Sequence, residues 1–95
     1  MRVIAVADSD SYVKWAAAML GRMPADWQVS LVIVSTAKRP SRDQLLSALS
    51  GTTIDADAVV TLPFDRAMTH VASERADAVL VATIGPLADL VVPQL

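Results

Sequence analysis

The sequence predicts an α/β fold: an open, three-layer parallel sheet of Rossmann-like or flavodoxin-like type. Three observations lead there. Residues 2–7, Arg-Val-Ile-Ala-Val-Ala, form an apolar run without alternation, as a strand does when helices cover both faces of its sheet. A polar turn, Asp8 to Ser11, follows at once and opens into a helical pattern. The same strand–turn–helix unit then recurs along the chain, the pattern of right-handed βαβ units in a parallel sheet. Four strands are expected, at about residues 2–7, 29–35, 58–62 and 77–83.

The first helix is expected to run from that turn to about Met23. Val13, Ala16, Ala17 and Leu20 fall on one helical face, and a second stripe of Tyr12, Trp15, Met19 and Met23 lies beside it. Lys14, Gly21 and Arg22 mark the solvent side, and Pro24 stops the helix. Trp27 is expected to close the bottom of the sheet where the chain turns back. The second strand, Val29 to Ser35, is β-branched and buried, and a basic loop, Thr36 to Pro40, follows it. Ser41 and Gln44 have the spacing of a capping box at the start of the second helix. Leu45, Leu46 and Leu49 supply that helix's apolar face, and Gly51 suits its C-terminal cap.

A polar linker, Thr52 to Asp57, leads to a short outer strand, Ala58 to Leu62. Pro63 fits the first turn of the third helix, where the donor it lacks would be unpaired in any case. Phe64, Ala67, Met68, Val71 and Ala72 form the buried stripe of that helix; Arg66, His70, Ser73 and Glu74 form the polar one. The fourth strand, Asp77 to Thr83, is broken by Gly85-Pro86, and a last short apolar helix is expected over Leu87 to Val92.

Ninety-five residues make one domain, residues 1–95. Hydrophobic residues reach 54% and charged residues only 19%, which implies more apolar surface than a small monomer hides. Either a homodimer through that surface or a second domain would cover it. The apolar ending Val-Val-Pro-Gln-Leu favours the second, so the chain reads as the N-terminal fragment of a larger two-domain protein. A net charge of −2 and a pI near 5.0 argue against a nucleic-acid partner, since phosphate contacts need concentrated Lys and Arg. The absence of cysteine excludes disulfides and thiolate metal sites and fits a cytoplasmic location. No apolar run approaches the roughly 18 residues of a membrane span, and Asp8 and Asp10 do not belong in a signal peptide.

In open α/β sheets, ligands sit outside the carboxyl ends of the strands. The loops expected there carry Asp8, Ser9, Asp10, Ser11 and Tyr12 after the first strand, Thr36 after the second, and Thr83 and Gly85 after the fourth. As a site, this is a crevice of hydroxyls and two carboxylates beside a helix N-terminus with free backbone donors. As plain structure, Asp8 or Ser9 caps the first helix. A Mg²⁺ pocket of the phosphorylatable receiver type lacks the acidic residue such domains need at the end of the third strand. A dinucleotide fingerprint lacks its glycines, none of which fall in residues 7–14. No cofactor and no metal are therefore expected. His70 lies on a polar helix face between Arg66 and Glu74 and reads as solvated. Lys38, Arg39 and Arg42 have the chemistry to hold a phosphate or carboxylate, with a solvated loop as the simpler reading. No P-loop or nucleophile elbow is present.

Several stretches carry a resemblance: Val-Ala-Asp-Ser-Asp-Ser-Tyr-Val-Lys-Trp-Ala-Ala-Ala-Met-Leu, Leu-Val-Ile-Val-Ser, the Pro-Ser-x-x-Gln-Leu start at Pro40, and Thr-Ile-Gly-Pro at the fourth strand. Together they resemble the start of an actinobacterial family of GT-B-type glycosyltransferase-like proteins. The resemblance implies two Rossmann-like halves, of which this chain would be part of the acceptor side, inactive alone and completed by a missing C-terminal domain. The partners it implies are a small-molecule acceptor and a sugar nucleotide. Many GT-B proteins carry a Gly-rich first loop, where this chain has Asp-Ser-Asp-Ser, so a phosphate contact from this loop is not carried over. Asp10 would then serve as base for an acceptor hydroxyl. Two other functions compete: a non-catalytic flavodoxin-like or receiver-like binding module, and a small-molecule-binding domain that dimerises through its apolar helix.

Overall fold

The structure, a computed structural model, describes residues 1–37 and 39–82. Eight elements alternate along them: β1 (Arg2–Ala7), α1 (Asp10–Leu20), β2 (Gln28–Val34), α2 (Arg42–Leu49), a 3-10 turn (Ala56–Ala58), β3 (Val60–Leu62), α3 (Phe64–Glu74) and β4 (Ala78–Ala82). The four strands form one sheet in the order β3-β2-β1-β4, and every pairing is parallel. This is the expected α/β architecture. The helix expected over Leu87 to Val92 lies outside the described residues.

Because side chains alternate across a strand, β1 and β2 feed two cores. Val3, Ala5, Ala7, Leu31 and Ile33 pack under α1 and α2, against Val13, Ala16, Ala17, Leu20, Leu45 and Leu49. Ile4, Val6, Val32 and Val34 pack on the other face, against Ala67, Met68 and Val71 of α3. β1 is thus covered on both sides, which is why its sequence shows no polar alternation. Four fully buried alanines meet where α1 crosses β1: Ala5 and Ala7 below, Ala16 and Ala17 above. Small residues on both surfaces let the helix approach the strand closely.

The topology follows from right-handed crossovers. The chain steps from β1 to β2 to β3 in one direction, with α1 and α2 on one face. It then steps back past both inner strands to β4, with α3 on the opposite face. The winding direction therefore reverses between β1 and β4. Ala7 and Ala82, the last residues of these strands, are register partners, so the chain leaves both at the same level.

Local chemistry sets several boundaries. The capping box forms as expected: Ser41 Oγ accepts from the Gln44 N–H at 3.2 Å, and Gln44 Oε1 accepts from the Ser41 N–H at 2.9 Å. Gly51 follows α2 with φ of 78°, the left-handed conformation that glycine supplies without a Cβ penalty. α1 ends at Leu20, three residues before the expected Met23, and Arg22 and Met23 continue it only as single 3-10-type bonds to Met19 and Leu20. β3 is shorter than expected because the Asp55 side chain accepts from the Asp57 N–H at 2.9 Å and turns Ala56–Ala58 into a 3-10 helix.

Trp27 is half-buried against the α1-side core, in keeping with its expected place. The second stripe of α1 is less covered than the first. Trp15 is 46% and Met19 37% exposed, while Tyr12 and Met23 are half-buried.

Candidate functional site

The reversal of winding between β1 and β4 makes the carboxyl ends of these two neighbouring strands a topological switch point. Such a switch point is where open α/β sheets bind ligands. Here its β1 wall is Asp8, Ser9 and the first turn of α1.

The sequence led to the expectation that Asp8 or Ser9 caps this helix; Ser9 holds the N-cap position without a side-chain cap bond. Its own carbonyl accepts from the Val13 N–H at 2.8 Å, so the helix begins in regular geometry while its first donors have no side-chain cap.

Asp8 and Asp10 each have one carboxylate oxygen, Oδ1, that is shielded from solvent and has no hydrogen-bond partner. Asp10 uses its other oxygen on Lys14, with Oδ2 and Nζ 3.1 Å apart. That pairing holds the side chain in one orientation and leaves Oδ1 unengaged. Shielded oxygens of this kind are destabilising unless something pairs them. The first turn of α1 offsets part of this, because the positive end of the helix dipole favours a nearby carboxylate.

Ser11 and Tyr12 continue into a hollow of about 340 Å³, lined among the described residues by Ser11, Tyr12, Trp15, Val81 and Ala82. It lies between the start of α1 and the end of β4 and brings two aromatic rings next to the Asp10 turn. On the other side of β1, the Thr36 hydroxyl donates to the Asp8 carbonyl at 3.4 Å, tying the loop after β2 to the loop after β1.

The structure therefore brings Asp8, Ser9, Asp10, Ser11, Tyr12 and Thr36 to one rim. Thr83 and Gly85 lie outside the described residues. Trp15 belongs to this rim as well. The sequence placed it only on the second apolar stripe of the first helix, and its position one turn beyond Ser11 on the same stripe as Tyr12 was the available signal.

The polar stripe of α3 leads away from the rim. Glu74 pairs with Arg2 at the opposite end of β1, and His70 Nε2 lies 3.5 Å from Glu74 Oε1. The Arg2 N–H donates to Asp77 Oδ2 at 2.8 Å, and the Asp77 N–H donates to the Arg2 carbonyl at 2.8 Å. The bonds of Arg2 fasten β1, α3 and the start of β4 together, and His70 stands beside Glu74 on the same helix. Among the described residues no group of three or more His, Asp or Glu could hold a metal ion, and no helix is long and apolar enough to cross a membrane.

A family model described as "putative glycosyltransferase (DUF6716)" matches residues 3–95, and so takes in both walls of the switch point. No curated protein and no solved structure matches the chain.

Proposed function

Because the chain belongs to this glycosyltransferase-like family, we propose that it is the acceptor-side half of a GT-B-type glycosyltransferase and that the β1/β4 switch point seats the acceptor. One observation carries the reading: two carboxylate oxygens, on Asp8 and Asp10, stand shielded and unpaired at the rim. A protein that only folded would have little use for them, whereas an acceptor sugar offers hydroxyl donors that match them.

In this reading Asp10 is the base. Lys14 anchors one of its oxygens, and the free one takes the proton of the acceptor hydroxyl as that oxygen attacks the anomeric carbon of the donor. The bond from that carbon to the nucleoside diphosphate breaks, and the diphosphate leaves with its electron pair. Asp8, Ser9, Ser11 and Thr36 supply hydrogen bonds to the acceptor, and Tyr12 and Trp15 offer ring faces to the apolar side of a sugar. Thr83 and Gly85, which follow β4 in the sequence, belong to the same proposed ligand-binding set. A second Rossmann-like domain holds the sugar nucleotide, and these 95 residues alone do not turn over. Trp15 and Met19, exposed on α1, are a surface for that domain to cover. A cytoplasmic location belongs to the same reading.

The test is transfer from UDP- and GDP-sugars to sugar acceptors by the full-length gene product. Turnover that Asp10→Asn abolishes while the fold is kept supports the reading. Full turnover in that variant removes Asp10 from the base role, and no binding of any sugar nucleotide removes the transferase.

A further inference from the structure

We propose that Arg39 is an anion-binding residue at this rim and that it selects acceptors carrying a carboxylate or phosphate group. The word acceptor rests on the glycosyltransferase reading above; the anion site itself stands on the geometry of the loop after β2.

That loop is fastened at three points. The Ser35 N–H donates to the Leu62 carbonyl at 2.8 Å, which fixes Ser35 against β3. The Thr36 hydroxyl reaches the Asp8 carbonyl at 3.4 Å, which sets the loop beside the β1 exit. The Arg39 N–H donates to the Thr36 carbonyl at 3.1 Å, and this turn brings the chain back over the end of β2. The Arg39 side chain then returns to the strand end, where Nη1 donates to Ser35 Oγ at 2.8 Å. The guanidinium is thus held within one strand of the Asp8 turn.

The partner it is held by matters. Arg2 is paired with Glu74, Arg42 with Asp57 and Lys14 with Asp10, each a carboxylate that offsets the cation's charge. Arg39 is held by a neutral hydroxyl. Ser35 orients the group without cancelling its charge, and four of the five guanidinium donors stay available for a planar, two-pronged contact with a carboxylate or phosphate. Arg42, at the start of α2, is engaged by Asp57 at 2.9 Å, whereas Arg39 has no carboxylate partner among the described residues.

The first turn of α2 is closed by its own capping box, and the β1 wall is acidic. A ligand presenting a hydroxyl to the Asp8–Asp10 side and an anionic group to the Arg39 side matches both walls. A neutral sugar matches one.

Binding can be read without turnover. Glucose 6-phosphate, glucuronate and glucose are titrated separately into the 15N-labelled protein, and the Arg39 Nε–Hε resonance is followed. Both anionic sugars should shift that resonance and bind at least about tenfold more tightly than glucose, as a charge-assisted two-pronged contact requires. Arg39→Ala should remove that advantage, Arg39→Lys should restore part of it, and Ser35→Ala should weaken it by about two- to fivefold through lost orientation. Glucose binding as tightly as either anion, or Arg39→Ala binding all three like wild type, overturns the site. Comparing the two anions tells phosphate from carboxylate. Arg39-dependent anion binding without sugar transfer from any donor would sink the glycosyltransferase reading and leave this one standing. Transfer to anionic acceptors that Arg39→Ala leaves unchanged would do the reverse.

Discussion

The two ends of the sheet are built from the same strands and similar side chains, yet their polar groups are used in opposite ways. At the amino end, Arg2 bonds to Glu74 and Asp77 and so joins β1, α3 and β4. At the carboxyl end, Asp8 and Asp10 keep shielded oxygens without partners, Ser9 does not cap its helix, and Arg39 is held by a hydroxyl. The first arrangement spends its charges on holding the molecule together. The second leaves them for something outside it. Both ends carry charged residues, so what distinguishes a site from a scaffold here is the pairing.

The contrast can be broken most strongly at Asp10. Asp10→Asn should lower sugar transfer by about 10²- to 10⁴-fold, the usual worth of a positioned base, with a urea-unfolding midpoint equal to or above wild type. A lower midpoint would mean that Asp10 is part of the scaffold. Next in size is a substitution that should damage both ends together. Ile4→Ala, in the fully buried middle of β1, should cost about 2–5 kcal/mol of stability by urea unfolding, and any loss of transfer should follow the unfolded fraction.

Smaller effects sharpen the comparison. Glu74→Gln at the amino end should cost about 0.5–1 kcal/mol, as partly exposed ion pairs do, and leave transfer untouched. The difference from wild type should shrink in 1 M salt, where the Debye length is about 3 Å; a salt-independent loss would point to packing. Smallest on stability is Trp15→Ala, expected within about 0.5 kcal/mol of wild type because the ring is nearly half exposed. Its effect should appear as a raised KM for acceptor, and an unchanged KM would return Trp15 to the role of a surface to be covered.

Much of the scaffold was legible in the sequence. The unbroken apolar character of residues 2–7 announced a strand buried on both faces, and Val13, Ala16, Ala17 and Leu20 are the residues of α1 that are buried. The capping box at Ser41 was readable because its chemistry is local. Strand order was not readable, since β1 meets β2 and β4 equally well in any apolar pattern. The early end of α1 came with short-range backbone bonds, and the loss of residues 58 and 59 from β3 with the Asp55 side-chain cap, local contacts that composition does not advertise.

The rim was legible only in part. Asp8 and Asp10 stood out as acidic residues after a first strand, but whether they cap, pair or remain open depends on rotamers and neighbours. The Arg39–Ser35 contact depends on the Thr36–Arg39 turn, and the Glu74–Arg2 pair joins positions 72 apart in the chain. His70 was read as solvated from its place on a polar stripe; its proximity to Glu74 follows from the same i, i+4 spacing.

Val3 of β1 pairs with Ala78 of β4, 75 positions later, whereas β1 and β2 lie within about one βα unit of each other. Contacts between distant positions form late, because the intervening chain must be ordered before they are rewarded. The hollow beside Tyr12 borrows its far wall from β4, so it comes into being only with that final docking. A nascent or partly denatured chain that already has β1, α1 and β2 in place would still be blind to its ligand, and binding would report completed folding rather than mere collapse.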